Sequence, residues 1–403
     1  MFFVIIRING ILARNWAIHK LNKHFAGVKV FFTKEQSPHK KRQQKKQYHM
    51  SRIIKFASVI VFLILALIAG VGIIVAIFAA TAGKSYYLTR IKQIDIPETA
   101  YIYITPEDNT ESVLEKIETV TAPGIGEGFA ILAEHNRFDS RKRSGKFAIK
   151  DGDTMKDIYY RIVSNTQTPV KLTVPSTRTI PQLVGAISRQ LMLDSAELSR
   201  YTSSPAYFNT LGYSKATLPS LFIPETYEVY WDIKPEDLMT RLVKERRKFW
   251  NDSRKAKAKA LDMTPEEVAT LASIVDEETN DASEMPVVAG LYINRLKKKM
   301  PLQADPTVKF ALGDPTRKRI LKKDLEVNSR YNTYMHQGLP PGPIRIPTKQ
   351  AIESVLNYKK HSFLYMCAKE DFSGTHNFAK TLSEHNANAQ RYQQALNKLN
   401  IKK

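Results

Sequence analysis

Three acids stand side by side at the end of TPEEVATLASIVDEET, residues 264 to 279, a segment that otherwise reads as a buried helix. Thr264 suits the N-cap, Pro265 suits the first helical position, and Glu267 completes a capping box. At about 100° per residue, Val268, Leu271, Ala272, Ile274, Val275 and Ala282 share one broad side. Glu278 falls inside that stripe, between Leu271 and Ile274. Asp276 lies just past the far edge, and Glu277 points away. Of the three, Glu278 is the one expected to lose solvent. Desolvation raises the pKa of a carboxylic acid, which is what a general acid needs near neutral pH. Acids near helix ends are ordinarily solvated, so position alone does not decide the matter.

Four blocks further along could supply a site. LYINRLKKKMPLQADPTV, residues 291 to 308, begins as a helix, and Pro301 forces it out into a polar loop holding Gln303 and Asp305. YNTYMHQGLPPGPI, residues 331 to 344, has too much Pro and Gly for regular structure. Its Tyr331, Asn332, Thr333 and Tyr334 offer stacking and hydrogen bonding. FLYMCA, residues 363 to 368, reads as a short buried strand with Cys367 as a small core residue. GTHNFAKTLSEHN, from Gly374, puts His376 and Asn377 just after a glycine turn and His385 at a helix start. These two histidines lie nine positions apart, which matches no compact zinc spacing, so neither a metal nor another cofactor is expected.

The elements around these blocks begin with a membrane span. The formal charge is +22 over 403 residues, but residues 1–55 hold thirteen Lys and Arg against one acid, Glu35. The cluster Lys40, Lys41, Arg42, Lys45, Lys46, Arg52 and Lys55 directly precedes an uncharged apolar run, Phe56 to Ala82. At 1.5 Å per residue that run exceeds the ~30 Å hydrocarbon core. It is longer than the apolar core of a cleaved signal peptide and reads as an uncleaved anchor. The basic flank then belongs in the cytoplasm and everything after about Lys84 outside. Charge of this placement argues against nucleic acid as a partner. Met50 opens MSRIIKF like the start of an anchored protein, so residues 1–49 read as an upstream extension or a disordered cytoplasmic tail. The single cysteine forms no internal disulfide.

Beyond the span, three strand–turn–helix units recur at Tyr101–Ile117, Phe147–Ile162 and Val170–Ile187. The pattern at Gly152-Asp153-Thr154 resembles a LysM-type glycan-binding unit. From Ala196 to Lys259 the chain reads mostly helical, interrupted by an aromatic stretch at 218–232. The expected architecture is α+β: a basic tail over 1–55, a transmembrane helix over 56–82, a small LysM-like α+β domain over 84–190, and a mixed α/β catalytic domain over 191–403.

Taken in order, ASIVDEET, NRLKKKMPLQADPTV, YNTYMHQGLPPGPI and THNFAKTLSEHN resemble the endolytic murein transglycosylase (YceG-like) family, over roughly Tyr86 to the C-terminus. The resemblance implies lytic cleavage of nascent peptidoglycan glycan strands near the membrane. It places the catalytic glutamate on Glu278. It also implies sugar and peptide contacts from Gln303, Asp305, Tyr331, Asn332, Thr333, Tyr334, His376 and Asn377. Asp276 departs from the family pattern, where a Glu is common. In the chemistry implied, the C6 hydroxyl of N-acetylmuramic acid is the nucleophile, so one carboxyl group serves as acid and then base, leaving a 1,6-anhydro end. The expected partners are peptidoglycan glycan strands, the cell membrane and cell-wall synthases such as penicillin-binding proteins. Two other readings stay open: a hydrolase pairing Glu278 with Asp305, and a non-catalytic, membrane-anchored glycan-binding scaffold.

Overall fold

A computed structural model describes residues 38–314 and 320–398, and the chain divides into two units between Gly83 and Lys84. The first unit is helical throughout its described part. Helix α1 runs Pro38–Tyr86, past both ends of the apolar run. Its apolar side chains from Phe56 to Phe78 are exposed, and it is the one helix among the described residues long and apolar enough to cross a membrane. Of the tail read as disordered, residues 38–49 are helical and residues 1–37 lie outside the described residues.

The second unit is mixed α/β, and its described strands form three separate antiparallel pairs. The first pair is β1 (Ala100–Ile104) and β2 (Gly145–Ile149), joined through α2 (Thr110–Val120), α3 (Glu127–His135) and α4 (Phe138–Arg141), with α5 (Met155–Val163) following. Alternation in AYIYI sends Ile102 and Ile104 inward and Tyr101 and Tyr103 outward. Capping boxes at Asn109/Ser112 and Thr154/Asp157 start α2 and α5 where the turn residues predict. The inward residues join Val113, Phe129, Phe147 and Tyr159 in one core.

All three strand–helix units read from the sequence form, but they do not share one core. Strand β3 (Val170–Val174) pairs with β4 (Glu225–Val229), which lies well beyond the expected boundary at 190. With α6 (Ile180–Ser188), α7 (Ser195–Ser203), α8 (Pro205–Thr210) and α9 (Pro235–Phe249) they enclose a second core around Leu172, Leu183, Leu221 and Leu238. The backbone of β4 pairs the edge of β3, and its Tyr227 and Val229 side chains are buried in the same core.

The third core carries the acids. It holds α10 (Asp252–Ala260), α11 (Pro265–Glu278), α12 (Met285–Lys297), α13 (Asp305–Leu312) and α14 (Lys349–Leu356), followed by the hairpin β5 (Tyr365–Ala368) and β6 (His376–Ala379) and by α15 (Leu382–Lys398). Helix α11 begins as expected, with Thr264 and Glu267 in a capping box. It is not a one-sided amphipathic helix, however. Residues 268–276 are all buried, so it is the central rod of this core. Its polar members are satisfied there: Thr270 donates to the Glu266 carbonyl, and Ser273 donates to the Thr270 carbonyl while accepting from Ile344 N–H. The helix stops at Glu278, so Ala282 is not on it and is exposed.

Residues 359–363 strap across α12 and lead into β5. Lys359 N–H donates to the Pro286 carbonyl, and Asn294 Nδ2 donates to the carbonyls of His361 and Phe363 at 2.8 and 3.1 Å. Gly290, inside α12, allows this approach: a Cβ there would lie 2.4 Å from the Lys359 carbonyl oxygen. Alanine is the better helix former, yet Gly290→Ala is expected to destabilise the domain by about 1–3 kcal/mol through overpacking. Denaturant melts of the two proteins check this; an unchanged or higher midpoint would show that the strap is not pinned there.

Candidate active site

The chemistry starts from the last turn of α11, where the three acids have three different surroundings. Asp276 is buried, 6% exposed, and serves α14: Oδ2 accepts from Thr348 N–H at 2.7 Å and Oδ1 accepts from Thr348 Oγ at 2.9 Å. Thr348 is itself the N-cap of α14. Burial raises the Asp276 pKa, while the Thr348 bonds and the Arg345 charge pull it back. Glu277 accepts both Nε and Nη2 of Arg178, at 2.9 and 2.7 Å, and Nη1 of Arg345 at 3.0 Å. Arg178 comes from the loop after β3, so this clamp joins the second core to the third. Glu278 is partly desolvated as expected, and Asp276 is buried as well, beneath α14.

Glu278 is half-buried and faces a cavity of about 450 Å³. Its Oε1 accepts a hydrogen bond from the Tyr292 hydroxyl at 2.6 Å. Loss of solvent around the carboxyl lifts its pKa from 4.5 to about 7. The Tyr292 bond opposes that rise, the negative field of Asp305 adds to it, and His376 and Lys309 oppose it more weakly. A helix C-terminus also disfavours an anion. The result is a carboxylic acid that carries its proton up to neutrality and faces an open cleft.

The rest of the lining comes from α12, α13, β5, β6, α15 and the loops that hold Gln303 and Tyr334. Gln303 follows Pro301 in left-handed backbone, φ 49°, with its N–H on the Thr333 carbonyl at 3.1 Å. Asp305 is not in a loop but in the first turn of α13, where Oδ1 accepts from the Tyr334 hydroxyl at 2.6 Å. Burial, then Asp305, pushes the Tyr334 phenol pKa up. His376, at the start of β6, is held by Glu284, which accepts its backbone N–H at 2.7 Å and its Nδ1 at 2.9 Å.

Of the nine residues expected to form the site, Glu278, Gln303, Asp305, Tyr334 and His376 line this one cavity. The other four are elsewhere. Asn332 is fully buried and its Nδ2 donates to the carbonyls of Leu325 and Val327. Thr333 is buried, with its hydroxyl bound by Ala304 N–H and shared with Thr307. Tyr331 packs on Phe310, ring centroids 4.7 Å apart. Asn377 donates to Glu370 at 2.6 Å. Strand alternation sends it away from the cavity that His376 faces.

The YceG-like family profile matches residues 102–391, which contain every residue of the cavity. The chain belongs to the YceG-like family. The endolytic murein transglycosylase of Bacillus subtilis strain 168 is 29% identical over 266 residues, covering 62% of this chain and 73% of that protein. The endolytic murein transglycosylase of Streptococcus pneumoniae serotype 2 strain D39 is 25% identical over 338 residues. That match covers 76% of this chain and 61% of the pneumococcal protein. The crystal structure of a yceG-like protein, lmo1499, from Listeria monocytogenes aligns with a TM-score of 0.49 at 25% identity, covering 72% of this chain and 99% of that one.

Several lining residues of this YceG-like cavity are absent from the sequence-based set. Tyr292 and Arg295 are three apart on α12, on one helical face, and that spacing was available in LYINRL. Arg295 is buried, 6% exposed, and donates to the carbonyls of Leu364, Pro301 and Leu302 and to Gln303 Oε1. Its guanidinium lies 5.3 Å from the Tyr365 ring centroid, and that ring stacks on His385 at 5.5 Å. Cys367, read as a core residue, lies on the half-buried strand β5 and lines the cavity.

A carboxyl pKa raised in the folded state has a definite linkage. Between 4.5 and about 7 the folded protein keeps a proton that the unfolded chain releases, so stability is lost as pH rises through this window. Fully expressed, that loss is about 3 kcal/mol. Glu278→Gln cannot ionise. Its melting temperature relative to wild type is expected to climb between pH 5 and pH 8, and a difference independent of pH would contradict the raised pKa.

Proposed function

We propose that this YceG-like chain is a membrane-anchored endolytic peptidoglycan transglycosylase. It would cleave nascent glycan strands between N-acetylmuramic acid and N-acetylglucosamine to leave 1,6-anhydro ends. The observation that carries the reading is the Glu278 carboxyl, protonated up to about pH 7 in the wall of an open cleft. In the reaction, Glu278 gives its proton to the glycosidic oxygen as the bond from C1 breaks. The C6 hydroxyl of the same muramic residue attacks C1 and gives up its proton to a basic group of the cavity, so no water is consumed. Attack within one sugar gains from proximity, which removes the need for a second carboxylate nucleophile. Gln303, Asp305, Tyr334 and His376 would grip the sugars and stem peptides.

The anchor would be α1, with its basic flank cytoplasmic and the second unit outside the membrane. Nascent strands at the membrane surface would place the protein beside cell-wall synthases, penicillin-binding proteins among them. For the first core, the strand–helices–strand order with antiparallel pairing supports the LysM-like reading. The Gly152–Thr154 turn is a structural part of it: Asp153 is clamped by Arg161 at 2.6 and 2.9 Å, and Thr154 caps α5. A scaffold role alone leaves the buried acid and its open cleft without a use.

A hydrolytic alternative rests on Asp305, which shares the cavity. Glu278→Gln is expected to lower cleavage of purified glycan strands by at least 10³-fold with the fold intact by circular dichroism. Wild-type rate should fall as pH rises through about 7, because the acid must be protonated. Mass analysis of the fragments decides the product. Anhydro ends with a mild Asp305→Asn effect support the lytic reading; reducing ends with Asp305→Asn as severe as Glu278→Gln would replace it with a hydrolase. Near wild-type cleavage by Glu278→Gln would remove Glu278 from the mechanism.

A further inference from the structure

The pair Glu284–His376 has a geometry that substrate gripping does not require. Glu284 is a carboxylate 7% exposed, placed at the N-terminal entry to α12, and both of its oxygens are spent on one residue of β6. One fixes the His376 backbone and the other fixes its ring. An ionised carboxylate only accepts, so Nδ1 carries the hydrogen of the 2.9 Å bond. That leaves Nε2 as the second ring nitrogen of a residue that lines the cavity. A buried carboxylate behind an imidazole is the arrangement that orients a ring, sets its tautomer and stabilises the cation formed when Nε2 takes a proton. His376 lines the same cavity as Glu278.

We propose that His376, oriented by Glu284, is the base of the reaction, and that Glu278 is its acid. This rests on the transglycosylase reading above. The C6 hydroxyl gives its proton to Nε2 as O6 forms its bond to C1. Glu278 gives its proton to O4 as the C1–O4 bond breaks. His376 then releases a proton to solvent and Glu278 takes one up, so the cycle closes with no net proton and no oxidant. Other titratable groups line the cavity with the ring: Glu278 from α11, Tyr292 and Arg295 from α12, Asp305 from α13, Tyr334 from its loop, Tyr365 and Cys367 from β5 and His385 from α15. Glu278, Asp305 and Arg295 are bound to Tyr292, Tyr334 and Gln303 respectively.

His376→Asn tests this, because its amide can still donate to Glu284 while nothing replaces Nε2. On purified glycan strands, kcat is expected to fall by about 10² or more with KM within about threefold, and the acidic limb of the kcat/KM profile should vanish. Glu284→Gln, acting through the ring, should keep that limb but shift it to lower pH. Wild-type kcat and an intact acidic limb in His376→Asn would overturn the proposal. If wild type cleaves no strands, the transglycosylase reading has failed, which is a different result. Nitrogen-15 spectra of the histidines in the full chain give an answer without turnover. The expected state at pH 8 is protonated Nδ1 and bare Nε2 for His376; a proton on Nε2 instead would also overturn the proposal.

Discussion

The structure of the third core depends on the cost of putting a carboxyl group where little water can reach it. Glu278 is the last residue of a helix whose preceding turns are buried on every side. Its carboxyl accepts the Tyr292 hydroxyl and faces the cavity from the end of that rod. It therefore answers burial in the least expensive way available, by keeping its proton. The Tyr292 hydroxyl limits the effect by favouring the anion, which holds the pKa near neutrality. A carboxyl much higher would never give its proton up at physiological pH, and one much lower would have none to give.

Such a group is useful only if its position is fixed, and the neighbouring acids fix it. Asp276 ties the rod to the start of α14, and Glu277 ties it to Arg178 and Arg345. Arg345 also donates to Ser176 Oγ, whose hydroxyl donates to the Ile346 carbonyl. The segment 345–348 and the loop after β3 thus close around the final turn of α11. On the opposite wall, Arg295 gathers three carbonyls and the Gln303 side chain from chain segments that have no regular pairing of their own. A buried guanidinium with its donors used in this way organises loops that Pro and Gly have stripped of secondary structure. Removing its charge would leave several carbonyls unsatisfied at once.

Much of this was legible in the chain, and the gaps have physical causes. The apolar run of α1, the three strand–helix units and the capped start of α11 are local features, set by composition, alternation and capping residues within a few positions of one another. The sequence singled out Glu278 because its position on the helix put it among apolar residues, and the structure places it in the cavity wall. The stripe was nevertheless drawn too narrow: Thr270 and Ser273 count as polar in a sequence, and only their bonds to Glu266, Thr270 and Ile344 explain how they are buried. The failures at Asn332 and Thr333 are of the same kind. Both were read as polar groups free for a ligand, and both are consumed by backbone groups far along or across the chain. The pairing of β3 with β4, and the convergence of Tyr292, Arg295, Tyr365 and His385, are long-range facts that no local period encodes.

A division of labour among polar groups follows from these contacts. Side chains such as Asn332, Thr333 and Asp276 have their hydrogen-bonding capacity filled inside the protein, and they make the cavity rigid. Glu278, Asp305 and His376 each have one side engaged, by Tyr292, Tyr334 and Glu284, and the other turned to the cavity. Half-engaged groups keep donors and acceptors available on the cavity side. A ligand with donors and acceptors at matching points would complete their hydrogen bonding. A sugar polymer, with hydroxyl and acetamido groups at regular intervals, has that chemistry, and an apolar ligand does not.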